Sequence, residues 1–258
     1  MTAAKKPKPA APVAAQAPPK RHAFDPRHGL GVYIEHPEKN PEGLVVEYDD
    51  DWVVIRDKYP KASVHLLLIP RDPEIYSEHP LHALSKRPEL LADAHKRVDR
   101  LKRFVASDLR RMYGKTSAAD QPYQTALEEL MTSDKTPPPA SERSERDEQL
   151  PAGRDWMSEV VAGVHTHPSM NHMHIHILSR ESHSPCLKHK KHYLSFHSSF
   201  FVGLDELPLD EERDRKRFHP GDWPQWDMLC WRCGKNFGQK FAALKRHIEE
   251  EFEEWKRE

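Results

Sequence analysis

The stretch HMHIHIL, residues 172–178, alternates polar and apolar side chains from His172 to Ile177. Successive side chains of a β-strand point to opposite faces. His172, His174 and His176 therefore share one face, while Met173, Ile175 and Ile177 bury the other. An ordinary half-buried strand is the plain alternative, but three imidazoles at alternate positions mark the polar face as functional. Such a row either ligates a transition metal or presents imidazoles to a phosphate. A metal site calls for carboxylates or other supporting partners nearby in sequence. The flanks carry instead His165, His167 and Ser169 upstream, and Lys188, Lys190 and Lys191 downstream. Cations and hydroxyl donors suit an anionic substrate.

Outward from this strand, LVVEY (44–48), WVVIRD (52–57) and SVHLLLIP (63–70) are β-branched or apolar runs separated by the turn-rich DDD and KYPKA. Between Pro88 and Met112 the apolar positions Leu91, Ala94, Val98, Leu101, Val105, Leu109 and Met112 step by threes and fours, which predicts an amphipathic helix packed on a sheet. Residues 114–153 include a polar, proline-bearing run and are read as a flexible insertion. A strand pattern resumes from Trp156 to Val164. Residues 182–200 form a basic loop interleaved with aromatics, and the charged run from Asp205 to Arg217 predicts an exposed helix or linker. The fold class is α+β: an antiparallel sheet with packed helices, followed by a small terminal unit. The expected organisation is a disordered basic tail over 1–22, a catalytic domain over 23–204, and a linker with terminal unit over 205–258.

The 258 residues carry 40 basic and 41 acidic side chains, so overall charge selects no partner and the local clusters decide. Hydrophobic residues make up 37%, low enough that some of the length is tail or loop. No apolar run approaches the roughly 20 residues that a bilayer crossing needs. The N-terminus lacks the apolar core of a secretory signal. In that setting a Cys-x-x-Cys pair reads as metal ligation or redox chemistry rather than a structural disulfide.

The pair is Cys230 and Cys233, followed by Phe237, Leu244 and His247. Thirteen residues separate Cys233 from His247, close to the roughly 12 of a DNA-binding zinc finger. No histidine follows where the fourth ligand should fall. Glu251, four residues on, points the same way, and Glu250 is its rival one position earlier. Carboxylate is an acceptable zinc donor, so Cys230, Cys233, His247 and Glu251 close a tetrahedron with no open position, which makes the one expected zinc structural. A redox pair beside an unrelated histidine is the alternative. Lys245 and Arg246, with Lys235 and Lys240, decorate the unit, either as a solvated face or as phosphate contacts.

The His172-x-His174-x-His176 motif resembles that of the histidine-triad family of nucleotide hydrolases and transferases. DKYPKASVHLLLIP (57–70), GVHTHPSMNHMHIHILS (163–179) and SPCLKHKKHYLSF (184–196), together with the terminal finger, are similar to one branch of it: the enzymes that remove AMP from 5′-adenylated DNA ends. No forkhead-associated domain precedes these motifs, so the resemblance is to the shorter, fungal-type architecture. It implies a histidine-triad fold, His174 as nucleophile, a covalent adenylyl-histidine, and AMP and DNA 5′-phosphate as products. It also implies that His176 and Ser169 contact the reacting phosphate, that His165 assists the leaving group and that His172 shapes the pocket. Lys61, Lys191 and the neighbouring Lys188 and Lys190 would meet flanking phosphates. Asp57 would bind the ribose hydroxyls. His65, on a facing strand, either lines the same site or is a plain core histidine. The partner would be nicked or broken DNA and the location the nucleus. An aromatic wedge at the DNA end is expected, with Phe24 its nearest candidate.

Two other readings compete. A general histidine-triad hydrolase of dinucleoside polyphosphates or phosphoramidates would share fold and nucleophile, but a small nucleotide needs neither the KHKKH loop nor a finger. A non-catalytic, zinc-dependent DNA-binding protein could use the triad as a second metal site. Metal content separates it: one zinc per chain fits the enzyme, two fit the metal triad.

Overall fold

The computed structural model describes residues 25–40, 42–132 and 150–258. The expected tail, the candidate wedge Phe24 and residues 133–149 of the expected insertion lie outside them. One antiparallel sheet of six described strands organises the chain: β1 (Val45–Tyr48), β2 (Trp52–Arg56), β3 (His65–Pro70), β4 (Val160–His165), β5 (Ile175–Ser179) and β6 (Phe201–Gly203), in the order β1-β2-β3-β5-β4-β6. The described helices are α1 (Gly31–Glu35), α2 (Pro73–Tyr76), α3 (Pro80–Lys86), α4 (Pro88–Tyr113), α5 (Gln121–Thr132), α6 (Lys190–Leu194), α7 (Arg215–Phe218) and α8 (Phe241–Arg257). The α+β class expected from the motifs is therefore the observed one. Among the described residues no helix is long and apolar enough to cross a membrane.

Strand β3 reads HLLLIP and is buried along its whole length, because it lies mid-sheet with both faces covered. Leu66 and Leu68 enter the main core beneath the long helix, while Leu67 and Ile69 pack on the opposite face with Leu30, Tyr33 and Ile34. A strand covered on both sides needs a continuous apolar run rather than an alternating one. Helix α4 starts with Pro88 in its first turn, where the missing N–H costs nothing. Its stripe of Leu91, Ala94, Val98, Leu101, Val105 and Leu109 is buried against the sheet, as the spacing predicts.

The insertion is not featureless where it is described. Helix α5 occupies part of it, and Asp120 is fully buried there. The Asp120 carboxylate accepts from the Arg154 amide at 3.0 Å and from Gln124 Nε2 at 2.8 Å, and Arg110 lies 3.2 Å away. A buried carboxylate with this many donors anchors both ends of the segment. The strand expected from Trp156 starts at Val160, because residues 156–159 turn and Trp156 enters the core. β6, short and sandwiched between polar loops, escaped the sequence reading. Gly163 makes room for it: a Cβ there would meet the Val202 carbonyl at 2.2 Å.

The last forty residues pack against the rest of the chain. Leu244 and Ile248 of α8 pack with Tyr193, Leu194 and Met228, but Phe252 and Trp255 of the same helix belong to the main core. One apolar stripe spaced at fours and threes serves both clusters. Trp255 meets Trp156 edge-on at 5.9 Å, and its indole N–H donates to Glu159 at 2.9 Å.

Candidate active site and zinc centre

Ile175 and Ile177 of β5 face the main core together with Met173, which turns His174 and His176 to the opposite side. Assigned strand begins only at Ile175, but the alternation continues upstream through the extended chain. Register places His176 opposite Leu67 of β3 and Gly163 of β4. The His65 and His176 rings consequently meet, with Nε2 of one 2.9 Å from Nδ1 of the other. His165 comes from β4, its ring centroid 4.4 Å from that of His176, and the His174 ring lies edge-on to His176 at 4.8 Å. Phe196 closes the group, 4.7 Å from His165, 5.0 Å from His176 and 5.4 Å from His65.

His174 is 5% exposed, and its Nδ1 lies 2.8 Å from the His172 carbonyl. A carbonyl can only accept, so the proton sits on Nδ1 and Nε2 keeps its lone pair. Burial lowers the His174 pKa below the ordinary imidazole value, against the His172 carbonyl and Asp57, which raise it. Burial likewise pushes His65 down to about 4 and His165 to about 3. His176 falls well below its usual value through burial and then the neighbouring His165. The cluster is thus neutral at pH 7.

The Lys61 amide donates to His65 Nδ1 at 3.2 Å. With that lone pair used, the ring proton of His65 sits on Nε2 and is donated to His176 Nδ1. His176 then carries its own proton on Nε2, a buried atom that no protein group meets. That atom is a donor without an acceptor, which suits a phosphate oxygen. His165 Nε2 is buried without a partner as well.

The other expected site residues divide. Asp57 places Oδ2 3.3 Å from His65 Nδ1, and its Oδ1 accepts the Tyr59 amide at 2.8 Å. The half-buried Lys61 ammonium meets the Tyr59 carbonyl, and desolvation lowers its pKa against the pull of Asp57. His172 diverges from the other two histidines and packs against Tyr76 at 5.0 Å and His28 at 5.6 Å. There it borders an open cleft of about 690 Å³ with Arg27, His79, His167 and Asn171. Ser169 is exposed in the loop before the triad. Its hydroxyl has no partner among the described residues, and its carbonyl accepts from Arg27 at 3.3 Å. Lys190 reaches away from the histidines to Gln239 of the finger, while Lys188 and Lys191 are exposed. Phe196, Tyr76 and His28 are neighbours that sequence reasoning missed, because their place in the site depends on folding alone.

At the finger, Cys230, Cys233, His247 and Glu251 bring one donor atom each within 4.8 Å of one another. His247 Nε2 lies 3.1 Å from Cys233 Sγ and 3.1 Å from Glu251 Oε1. Two thiols, an imidazole and a carboxylate at this spacing fit tetrahedral zinc with every position filled by protein. Glu250, the rival ligand, is 3.8 Å from the other ring nitrogen and strongly exposed. Lys245 and Arg246 stand exposed on the same helix. Asp57, His65 and His176 also bring donors within 4.8 Å of one another, but two of them are joined by the 2.9 Å imidazole hydrogen bond.

An antiparallel sheet carrying an imidazole cluster in this arrangement defines a histidine-triad protein, and the HIT domain family model matches residues 38–183, more than half of the chain. A C2HE / C2H2 / C2HC zinc-binding finger model matches residues 197–254. The chain is 33% identical to the aprataxin-like protein of Schizosaccharomyces pombe, over 95% of its own length and 89% of that protein. With the aprataxin-like protein of Saccharomyces cerevisiae it shares 30% identity, over 88% and 95%. The crystal structure of the aprataxin ortholog Hnt3 in complex with DNA superposes with a TM-score of 0.67 at 31% identity, covering 90% of this chain and 96% of that one. The chain belongs to the aprataxin family of histidine-triad proteins.

Proposed function

We propose that the chain hydrolyses the phosphoanhydride of 5′-adenylated DNA ends, releasing AMP and a DNA 5′-phosphate. The observation that carries this reading is the His174 geometry: Nδ1 bonded to the His172 carbonyl at 2.8 Å, with a neutral ring whose Nε2 is free to attack. Nε2 forms a bond to the AMP phosphorus while the bond to the DNA 5′-phosphate oxygen breaks. The leaving group is itself a phosphate and needs little protonation. Alignment and charge stabilisation are therefore the protein's main work. His176 donates from Nε2 to the reacting phosphate, and His165 stands beside it to assist departure. Water then displaces His174 from the adenylyl-histidine, and AMP leaves. Lys61, Lys188 and Lys191 neutralise flanking phosphates, and Asp57 receives the ribose hydroxyls.

DNA as the substrate is supported by the finger, whose exposed Lys245 and Arg246 share one body with the triad because α8 is anchored in the main core. Lys190, bonded to Gln239, joins the basic loop to the finger surface. The solved ortholog in complex with DNA supports the same assignment. A nuclear location follows from such a substrate as part of this proposal, and the finger match with its four clustered donors supports one structural zinc.

The test uses a nicked duplex bearing a 5′-adenylate, with products separated on a denaturing gel. Conversion to the 5′-phosphate is expected, abolished by His174→Ala together with adenylyl trapping, and weakened by charge reversal at Lys245 and Arg246. Normal turnover by His174→Ala would sink the mechanism. Cleavage of a free dinucleoside polyphosphate with none of the adenylated DNA would return the chain to the general histidine-triad hydrolases.

A further inference from the structure

A carboxylate ligand brings a difficulty that histidine does not. Two thiolates, one neutral imidazole and one carboxylate around a divalent zinc leave one negative charge in excess, and a carboxylate with an idle oxygen can swing away from the metal. Arg232, between the two cysteine ligands, answers both. Glu251 turns Oε1 toward the metal donors, 3.1 Å from His247 Nε2, and Oε2 toward Arg232 Nη1 at 2.7 Å. The second arm of the guanidinium bonds the Glu258 side chain. Glu258 in turn lies 3.7 Å from Arg154. Arg154 is locked into the catalytic core, donating to Glu159 at 2.9 Å and lying against the rings of both Trp156 and Trp255.

We propose that Arg232 sets the zinc affinity of this finger by orienting Glu251 and balancing its charge, itself held by the Glu258–Arg154 anchor on the catalytic core. Arg232 is a positioning residue, since it touches the ligand and not the metal. The planar fork of arginine serves two carboxylates at once, which a lysine cannot reproduce. Partners that hold a ligand in place are worth about 10- to 100-fold in metal affinity. The proposal rests on the zinc assignment but on neither the substrate nor the nucleophile.

The experiment measures zinc affinity of the full chain by competition with a chromogenic chelator, and ligand geometry from the visible spectrum of the cobalt-substituted protein. Arg232→Gln should lose about 10- to 100-fold in affinity with an altered cobalt spectrum, Arg232→Lys less, and Glu258→Gln less again. The deciding comparison places Arg232→Gln in a Glu251→His background. A neutral imidazole needs no counter-charge, so the effect there should fall below about twofold. Equal losses in both backgrounds would mean that Arg232 acts on folding generally and would overturn the proposal, as would an unchanged affinity in the parent chain. If Arg232→Gln does not fold, Arg232→Lys and Glu258→Gln carry the same two-background comparison. A parent chain that binds no zinc would overturn the metal assignment itself and leave the His174 chemistry untouched.

Discussion

His65 and His176 lie 2.9 Å apart across the β3–β5 pair, so a residue more than a hundred positions upstream fixes the proton of a triad member. The pairing is permitted by register, which sets His65 opposite Leu178 and Leu67 opposite His176, with both imidazoles on the face away from the main core. Through it, the Lys61 amide determines which nitrogen of His176 carries the proton.

Replacing His65 by Leu keeps an apolar filler of similar size but removes the donor to His176 Nδ1. His176 could then place its proton on either nitrogen. Loss of one oriented donor at a developing phosphate charge costs about 100-fold in turnover. Single-turnover rates on the adenylated nick should show that loss alongside a modest fall in melting temperature, because the Lys61 amide and His176 Nδ1 lose their partner. A rate within threefold of the parent would remove His65 from the mechanism.

The depressed imidazoles make a prediction about acid. Folded His65 titrates at about 4 and His165 at about 3, against about 6.5 in the unfolded chain. Between those values the unfolded state binds more protons, so stability rises with pH through this window. It is fully present above about 6.5, declines as pH falls and levels off below the folded values. Urea midpoints measured from pH 7 down to pH 4 should fall steadily, and replacing His165 by Phe should flatten the slope. An unaltered slope in that variant would assign the acid sensitivity elsewhere.

Zinc removal should reach beyond the finger. Helix α8 places Phe252 and Trp255 in the main core, so loosening its first turns withdraws support from the sheet. Calorimetry with a strong chelator is expected to show one transition moved down, by about 2–4 °C for each kcal/mol of metal-linked stability. Two separate transitions, the larger one unmoved, would show that finger and core unfold independently. Trp255→Ala should cost about 3–5 kcal/mol with the metal still bound.

Gly163→Ala tests the packing behind the imidazoles. The added carbon would meet the Val202 carbonyl at 2.2 Å and the Phe201 ring at 2.8 Å, both on β6. Relief requires that strand to move, and Phe201 lies 6.1 Å from His165 and 6.4 Å from His176. Overpacking of this kind costs about 1–3 kcal/mol, and turnover should fall along with stability. Full activity at parental stability would show that β6 yields without disturbing the site.

Much of the chemistry was legible because it is carried by short spacings. His174 and His176 repeat at two and the finger residues His247 and Glu251 at four, so extended-chain and helix geometry align each pair without help from the rest of the fold, whereas His172 diverges to the neighbouring cleft. The long helix was equally plain, since seven apolar positions at threes and fours leave little choice. Harder were β6, whose three residues offer no period to read, and the stretch after residue 114. Its composition predicts a loop, yet the single buried carboxylate of Asp120 orders the described part of it. Nothing in the finger's own spacing announces that Phe252 and Trp255 face a different core from Leu244 and Ile248.

By itself, then, the sequence determined the alternation of histidines, the spacing of Cys230, Cys233, His247 and Glu251, and the class of fold, all of which follow from periodicities of the backbone over a few residues. The tertiary structure alone decided that His65 meets His176, that Phe196 closes over the imidazoles, that Lys190 turns to the finger and that Arg232 braces Glu251. Each of these contacts joins residues from different elements. Their distances are set by strand register and helix packing, which no local period encodes.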